Sequence, residues 1–206
     1  MEPFNTVTGV TIPFRRDDVD TDRLIPIRFL RKPLDAGYGN FLLADDRFDE
    51  HGVKKPEFIF NQPQLRGATI LVSGRNFGCG SAREGAVYAV RDYGIRAIVA
   101  AGFSDIFRMN CCWNGVLPVV LPEAAIHALW DELDAHPGAK VTIDLEQQAV
   151  TSPTGNRHTF DIDKSVKNRL LAGLDDIGVT QQFQDRIDAF EAAYVREMPW
   201  IAQPQA

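Results

Sequence analysis

From residue 68 onward the chain alternates between apolar runs of strand length and polar stretches with helical spacing. Ala68-Thr69-Ile70-Leu71-Val72 is a continuous run that predicts a buried strand over 68–73. A helix is predicted over 82–93, with Ala86, Val87, Val90 and Tyr93 on one face and Gly94 placed to end it. Ile95–Ala100 predicts a second strand, about 104–110 a short helix, and 116–121 a third strand. Pro122 opens a helix that carries Ile126, Leu129, Trp130 and Leu133 at i, i+3, i+4 and i+7 and stops near Pro137-Gly138. Strands that alternate with helices imply right-handed crossovers and a mostly parallel sheet, so the fold class is α/β.

The flanks follow other patterns. Residues 7–14 predict a first short strand, and Arg15 to Asp22 is charged and turn-like. The segment 30–66 keeps no period and is expected to be loops with short helical turns, an irregularity often tied to function. Over 140–162, Val141, Ile143 and Leu145 alternate with polar residues, Ser152-Pro153-Thr154-Gly155-Asn156 turns, and Thr159–Ile162 resumes, which predicts a β-hairpin. The C-terminal part is helical, with Val166, Leu170, Leu171 and Leu174, then Ile187, Phe190, Tyr194 and Val195. There is no internal repeat and no composition break, so residues 1–206 are expected to form a single domain.

Bulk composition narrows the functional classes. At 206 residues, with 45% apolar and 24% charged positions, the chain can bury one substantial core. A net charge of -6 and no dense basic run argue against a nucleic-acid partner. No apolar run approaches the ~20 residues that span a bilayer, and the first residues lack the pattern of a secretory signal. Cys79, Cys111 and Cys112 form no disulfide framework, which fits a reducing cytoplasmic location.

The candidate chemistry sits between the strand at 68–73 and the helix that follows it. Asn76-Phe77-Gly78-Cys79-Gly80-Ser81-Ala82-Arg83-Glu84 places two glycines at the turn and a hydroxyl and a guanidinium at the expected helix start. Glycine lets a ligand approach the backbone, and helix N-termini attract anions. The arrangement suits a small carboxylate substrate and a serine that gives up its proton. It is neither a dinucleotide loop nor a P-loop, because Arg83 replaces the third glycine and no lysine follows. It is not a nucleophile elbow either, because Cys79 and Arg83 flank Ser81 where glycines belong. The plainer alternative is a tight turn in which Ser81 only caps a helix. The three cysteines lack ligand spacing and read as packed thiols. Asp20 and Asp22, either side of Thr21, read as turn-makers, and Arg28, Arg31 and Lys32 as a solvated cationic loop or an anion contact.

Four ordered motifs carry a resemblance that covers nearly the whole chain. Val19-Asp20-Thr21-Asp22-Arg23-Leu24-Ile25-Pro26, Asn76 to Glu84, Phe103 to Pro118 with Asn110 and Asn114, and Leu174-Asp175-Asp176-Ile177-Gly178-Val179-Thr180 resemble, in order, the motifs of the small-subunit family of 3-isopropylmalate dehydratases, relatives of the aconitase swivelling domain. The resemblance implies a swivelling β/β/α fold and a hydro-lyase of leucine biosynthesis. It also implies a large aconitase-like partner that carries a [4Fe-4S] cluster not ligated by this chain, so that the chain is inactive alone. By the same resemblance Ser81 is the base, acting as alkoxide. Arg83 clamps a substrate carboxylate, Gly80 and Ala82 line the substrate, and Asp22 joins the site. The stretch from Arg28 through Arg31 to Lys32 reads the substrate's γ-substituent.

The chain departs from the family pattern at Ala82, where a second serine is usual, and at Gly85-Ala86-Val87-Tyr88, where His-Ala-Pro-Trp is usual. These departures keep two rivals in view. One is a related hydro-lyase for another substituted malate or maleate, such as citraconate or dimethylmaleate. The other is an assembly module without catalysis.

Overall fold

The computed structural model describes residues 1–81 and 83–201. Strand β1 (Thr6–Pro13) leads into one helical turn, α1 (Thr21–Leu24), and then into a long irregular segment holding a second single turn, α2 (Ala44–Arg47). Regular alternation follows with β2 (Ile70–Val72), α3 (Glu84–Tyr93), β3 (Ala97–Ala100), α4 (Asp105–Trp113), β4 (Leu117–Val120) and α5 (Glu123–Ala135). A meander comes next, with β5 (Lys140–Asp144), β6 (Ala149–Thr151) and β7 (Arg157–Thr159). Three helices close the chain: α6 (Lys164–Ala172), α7 (Asp176–Gln181) and α8 (Gln184–Glu197).

All seven strands join one sheet in the order β4-β3-β2-β1-β5-β6-β7. The strands that alternate with helices are parallel, β1 to β2, β2 to β3 and β3 to β4. On its other edge β1 pairs antiparallel with β5, and β5 to β6 and β6 to β7 continue antiparallel. The expected α/β class with a parallel portion, a hairpin and C-terminal helices is what the structure has. The Ser152–Asn156 turn joins β6 to β7, and β5 adds a third strand through a tight return at Leu145–Gln148.

β2, β3 and β4 read as unbroken apolar runs because both faces of the sheet are covered. Leu71, Ile98 and Ala100 face a core completed by Ala86, Val87 and Val90 of α3 and by Phe107 and Cys111 of α4. Ile70, Val72, Ala97 and Val99 face the opposite core, built with Ile126, Leu129, Trp130 and Leu133 of α5, Val141 and Ile143 of β5, and Leu170 of α6. The neighbours Leu71 and Val72 serve opposite cores, as the two-residue period of a strand requires. Trp130 also donates Nε1–H to the Val72 carbonyl at 3.1 Å, which ties α5 to the end of β2.

The segment 30–66 is built from short turns of three or four residues. They are held by side chains rather than by period. The buried Arg47 donates through Nη1 to the carbonyls of Gly39 and Leu42, and Asn61 donates through Nδ2 to those of Arg47 and Lys55.

Ile98→Ala removes a fully buried side chain from the α3 face of the central sheet. It is expected to cost about 2–5 kcal/mol, read as a lower urea midpoint with an unchanged m-value.

Candidate active site

The parallel strands β1, β2 and β3 end on the same side of the sheet, and three loops leave them there. The loop after β2 runs between the other two and is hydrogen-bonded to both by backbone. Toward the loop after β1, Asp18 N donates to Arg75 O at 3.0 Å, Gly78 N to Val19 O at 2.8 Å and Thr21 N to Cys79 O at 2.9 Å. Toward the loop after β3, Phe77 N donates to Gly102 O at 2.9 Å and Ser104 N to Phe77 O at 3.0 Å. Sheet-like pairing thus continues past the ends of the strands, and clefts at the carboxyl ends of parallel strands are the usual place for a ligand.

Phe77 is fully buried and packs edge-on against Phe103 and Phe107. Gly78 and Gly80 hold φ at +75° and +86°, and each passes too close to a neighbour to carry a side chain. A Cβ at Gly78 would lie 2.1 Å from the Phe107 ring, and one at Gly80 2.1 Å from Asp20 Oδ2. The two glycines therefore seat the loop on Phe107 and on Asp20.

Ser81 is exposed at the end of this run. Its carbonyl accepts a hydrogen bond of 2.6 Å from the hydroxyl of Thr21, which is 1% exposed. Asp20 caps α1 by accepting from Asp22 N at 2.6 Å, the turn-making role its position suggested. Asp22 in turn brings Oδ1 to 2.9 Å from Arg83 Nε. That Nε is buried and its N–H is not aligned on any acceptor among the described residues, so the contact is an ion pair without a well-formed hydrogen bond. The Arg83 side chain is 22% exposed, against 47% for Asp22.

Helix α3 starts at Glu84, with Arg83 as its extended cap residue, and not at residue 82. Ser81 precedes the helix instead of opening it. Cys79 is paired with Asp20, Gly80 turns the chain at φ +86°, and Thr21 holds the Ser81 carbonyl, so these residues are engaged outside the helix. Ala82 lies outside the described residues.

Ser81, Gly80, Arg83 and Asp22 are brought into one neighbourhood. Arg28 and Arg31 are placed differently. Arg28 forms a forked ion pair with Asp45, with Nη1 to Oδ2 at 3.1 Å, and this pulls the Asp45 carboxyl below its ordinary pKa. The pair borders a cavity of about 590 Å³ whose lining includes Phe29, Phe41 and Phe48 but none of Ser81, Arg83 and Asp22. Arg31 is exposed, with no ion pair among the described residues. Leu30 is the member of this stretch that reaches the start of α3, its Cδ2 lying 2.9 Å from where a Cβ on Gly85 would stand.

Thr21 and Leu30 were not singled out from sequence. The signal for Thr21 was its place between two aspartates.

The thiols are poor ligands and poor nucleophiles. Burial raises the Cys79 pKa, and the nearby Asp20 and Asp18 add to the rise. Burial raises Cys111 well above the usual thiol value and Cys112 to about 11. Among the described residues no three His, Cys, Asp or Glu side chains gather as a metal site.

Comparisons with known proteins point to one family. The family described as the Aconitase C-terminal domain matches residues 1–124, LeuD_N matches 127–164, and the C-terminal domain of the 3-isopropylmalate dehydratase small subunit matches 176–203. The 3-isopropylmalate dehydratase small subunit of Methylibium petroleiphilum is 45% identical over the full length of both chains. The chain belongs to the 3-isopropylmalate dehydratase small-subunit family. The small subunit of Paramagnetospirillum magneticum is 44% identical, covering 98% of this chain and 100% of its own. The crystal structure of 3-isopropylmalate dehydratase from Methanocaldococcus jannaschii superposes with a TM-score of 0.63 at 25% identity, over 90% of this chain and 99% of that one. Small-subunit membership implies a larger aconitase-like partner. No helix among the described residues is long and apolar enough to cross a membrane.

Thr21→Val keeps the shape of the side chain but leaves the Ser81 carbonyl without its donor. A loss of about 1–3 kcal/mol is expected, measured by urea unfolding.

Proposed function

We propose that this chain acts as the small subunit of a 3-isopropylmalate dehydratase in leucine biosynthesis, with Ser81 as the base that takes a carbon-bound proton from the substrate. The supporting observation is the exposed Ser81, fixed through its own carbonyl by Thr21, beside an Arg83 guanidinium held by Asp22. A serine hydroxyl is too weak an acid to ionise in water. A cation and oriented N–H donors in a site closed to solvent lower that cost. Arg83 supplies the cation, and its planar fork suits a substrate carboxylate. Asp22 balances that charge until the carboxylate arrives.

In the dehydration direction Ser81 Oγ, as alkoxide, accepts the proton, the electron pair of the broken C–H bond forms the C=C bond, and the hydroxyl on the neighbouring carbon departs as hydroxide, so that the proton held by Ser81 and this hydroxide together make up the water lost. Rehydration at the adjacent carbon returns the proton from Ser81 and moves the hydroxyl. The [4Fe-4S] cluster, which we assign to the large partner, supplies the Lewis acidity that a departing hydroxyl needs. We take residues 1–206 as one swivelling unit, working in the cytoplasm in keeping with three unpaired thiols.

Gly85 and Leu30 bear on substrate choice. With no side chain at Gly85, Leu30 sits against the first turn of α3 and offers an apolar contact for an alkyl substituent. An alkyl group also occurs on citraconate and dimethylmaleate, so a hydro-lyase for one of those is the second reading.

With the large partner present, Ser81→Ala should lower turnover by about 10²–10⁴-fold while association with the partner stays unchanged. Undiminished turnover would remove Ser81 from the chemistry. Wild-type protein that associates but turns over no dicarboxylate would favour an assembly module. Faster hydration of citraconate than of the isopropyl-substituted substrate would favour the second reading.

Arg83→Lys should reduce kcat/KM by at least tenfold, since an ammonium cannot reproduce the two-pronged contact. A change below twofold would assign Arg83 to structure alone.

A further inference from the structure

Helix α8 is fourteen residues long and buries none of its side chains. Phe183, Ile187, Phe190 and Tyr194 recur at intervals of four, three and four residues, which puts them on one seam, and Trp200 follows just beyond. Phe183 is 50% exposed, Phe190 65%, Tyr194 37% and Trp200 68%. Phe190 and Tyr194 stack with ring centroids 5.4 Å apart, and an open groove runs along Phe183, Ile187 and Phe190. A helix of this length is marginal in water without something packed against it.

We infer that this arm docks into an apolar groove with a basic rim on the large partner subunit, and so holds the two chains together at a place separate from Ser81. The inference rests on the small-subunit reading above. Two properties of the arm favour that occupant over a second copy of this chain. The first is charge. α8 carries four carboxylates (Asp185, Asp188, Glu191 and Glu197) against two guanidiniums (Arg186 and Arg196), so paired copies would crowd like charges beside the seam. A partner rimmed with lysine and arginine would neutralise them.

The second is area. Aromatic side chains carry roughly 150–250 Å² each, so at the stated exposures the four leave about 450 Å² uncovered. Two such seams face to face bury about 900 Å², below the ~1,200 Å² at the lower end for stable complexes. Laid in a concave groove, the same seam contributes no more than its ~450 Å², but the groove walls also cover the flanks of α8, which two convex helices cannot do for each other, and this brings the buried area toward the ~800 Å² that each side of a standard interface needs. Large aromatic anchors are also the side chains that dominate binding energy at such contacts.

The test uses the full chain and the purified aconitase-like large chain of the same organism. Association is followed by analytical ultracentrifugation and isothermal titration calorimetry. Phe190→Asp and Trp200→Ala alter exposed side chains, and circular dichroism should show wild-type folding. Each is expected to weaken association with the large chain by at least tenfold, and both together by at least a hundredfold. Near-saturating large chain should restore turnover. Ser81→Ala, assayed alongside, should bind as tightly as wild type. Unchanged affinity in the double variant overturns the docking of the arm and leaves the catalytic reading standing. Wild-type chain that never binds the large chain overturns both. A free chain that dimerises at micromolar concentration, and is made monomeric by Phe190→Asp with no loss of large-chain affinity, assigns the seam to self-association and also overturns the inference.

Discussion

The backbone ladder that continues past the ends of β1, β2 and β3 is the constraint on which the site depends. Strand pairing is non-directional with respect to side chains, so it fixes the loop whatever residues decorate it. Gly78 N–H to Val19 and Thr21 N–H to Cys79 set one edge, and Phe77 bonded both ways to the loop after β3 sets the other. Once those amides are paired, the loop cannot shift along its neighbours without losing several bonds together. Side-chain bulk is then excluded at Gly78 and Gly80 by the Phe107 ring and the Asp20 carboxylate. Ser81 is carried out of this frame on a short lead, and Thr21 anchors its carbonyl from beneath.

The electrostatic design builds on that frame. A mostly buried guanidinium with no counter-ion would be costly, and Asp22 meets that need from the half-exposed side. The misaligned Nε contact means the pair is held by charge more than by hydrogen-bond geometry. Nothing comparable activates a sulfur. The thiol two residues before Ser81 is kept protonated by burial and by two aspartates.

Much of this was legible in the amino-acid pattern, for identifiable reasons. β2, β3 and β4 are covered on both faces, so their apolar runs are unbroken, and the amphipathic stripes of α3 and α5 match the two cores they meet. Ser81, Arg83 and Asp22 were visible as residue types in ordered motifs. The segment 30–66 was not, because buried Arg47 and Asn61 shape it through bonds to distant carbonyls, and such bonds leave no period in the sequence. The onset of α3 was misplaced for a similar reason. Local spacing allows helix from residue 82, but Arg83 is extended and paired with Asp22, a contact that joins residues about sixty positions apart. The Arg28–Asp45 pair likewise depends on where α2 lands, which no nearby residue dictates.

β1 carries an asymmetry of its own. One edge of this eight-residue strand feeds the parallel half that bears the Ser81 loop, and the other feeds the antiparallel meander. Cutting the chain between α5 and β5 would leave every proposed catalytic group on the first fragment yet strip that fragment of the cover along β1. A bare strand edge recruits other chains. The meander thereby acts as the guard that keeps the parallel half from polymerising, and damage there would surface as insolubility before it surfaced as lost turnover.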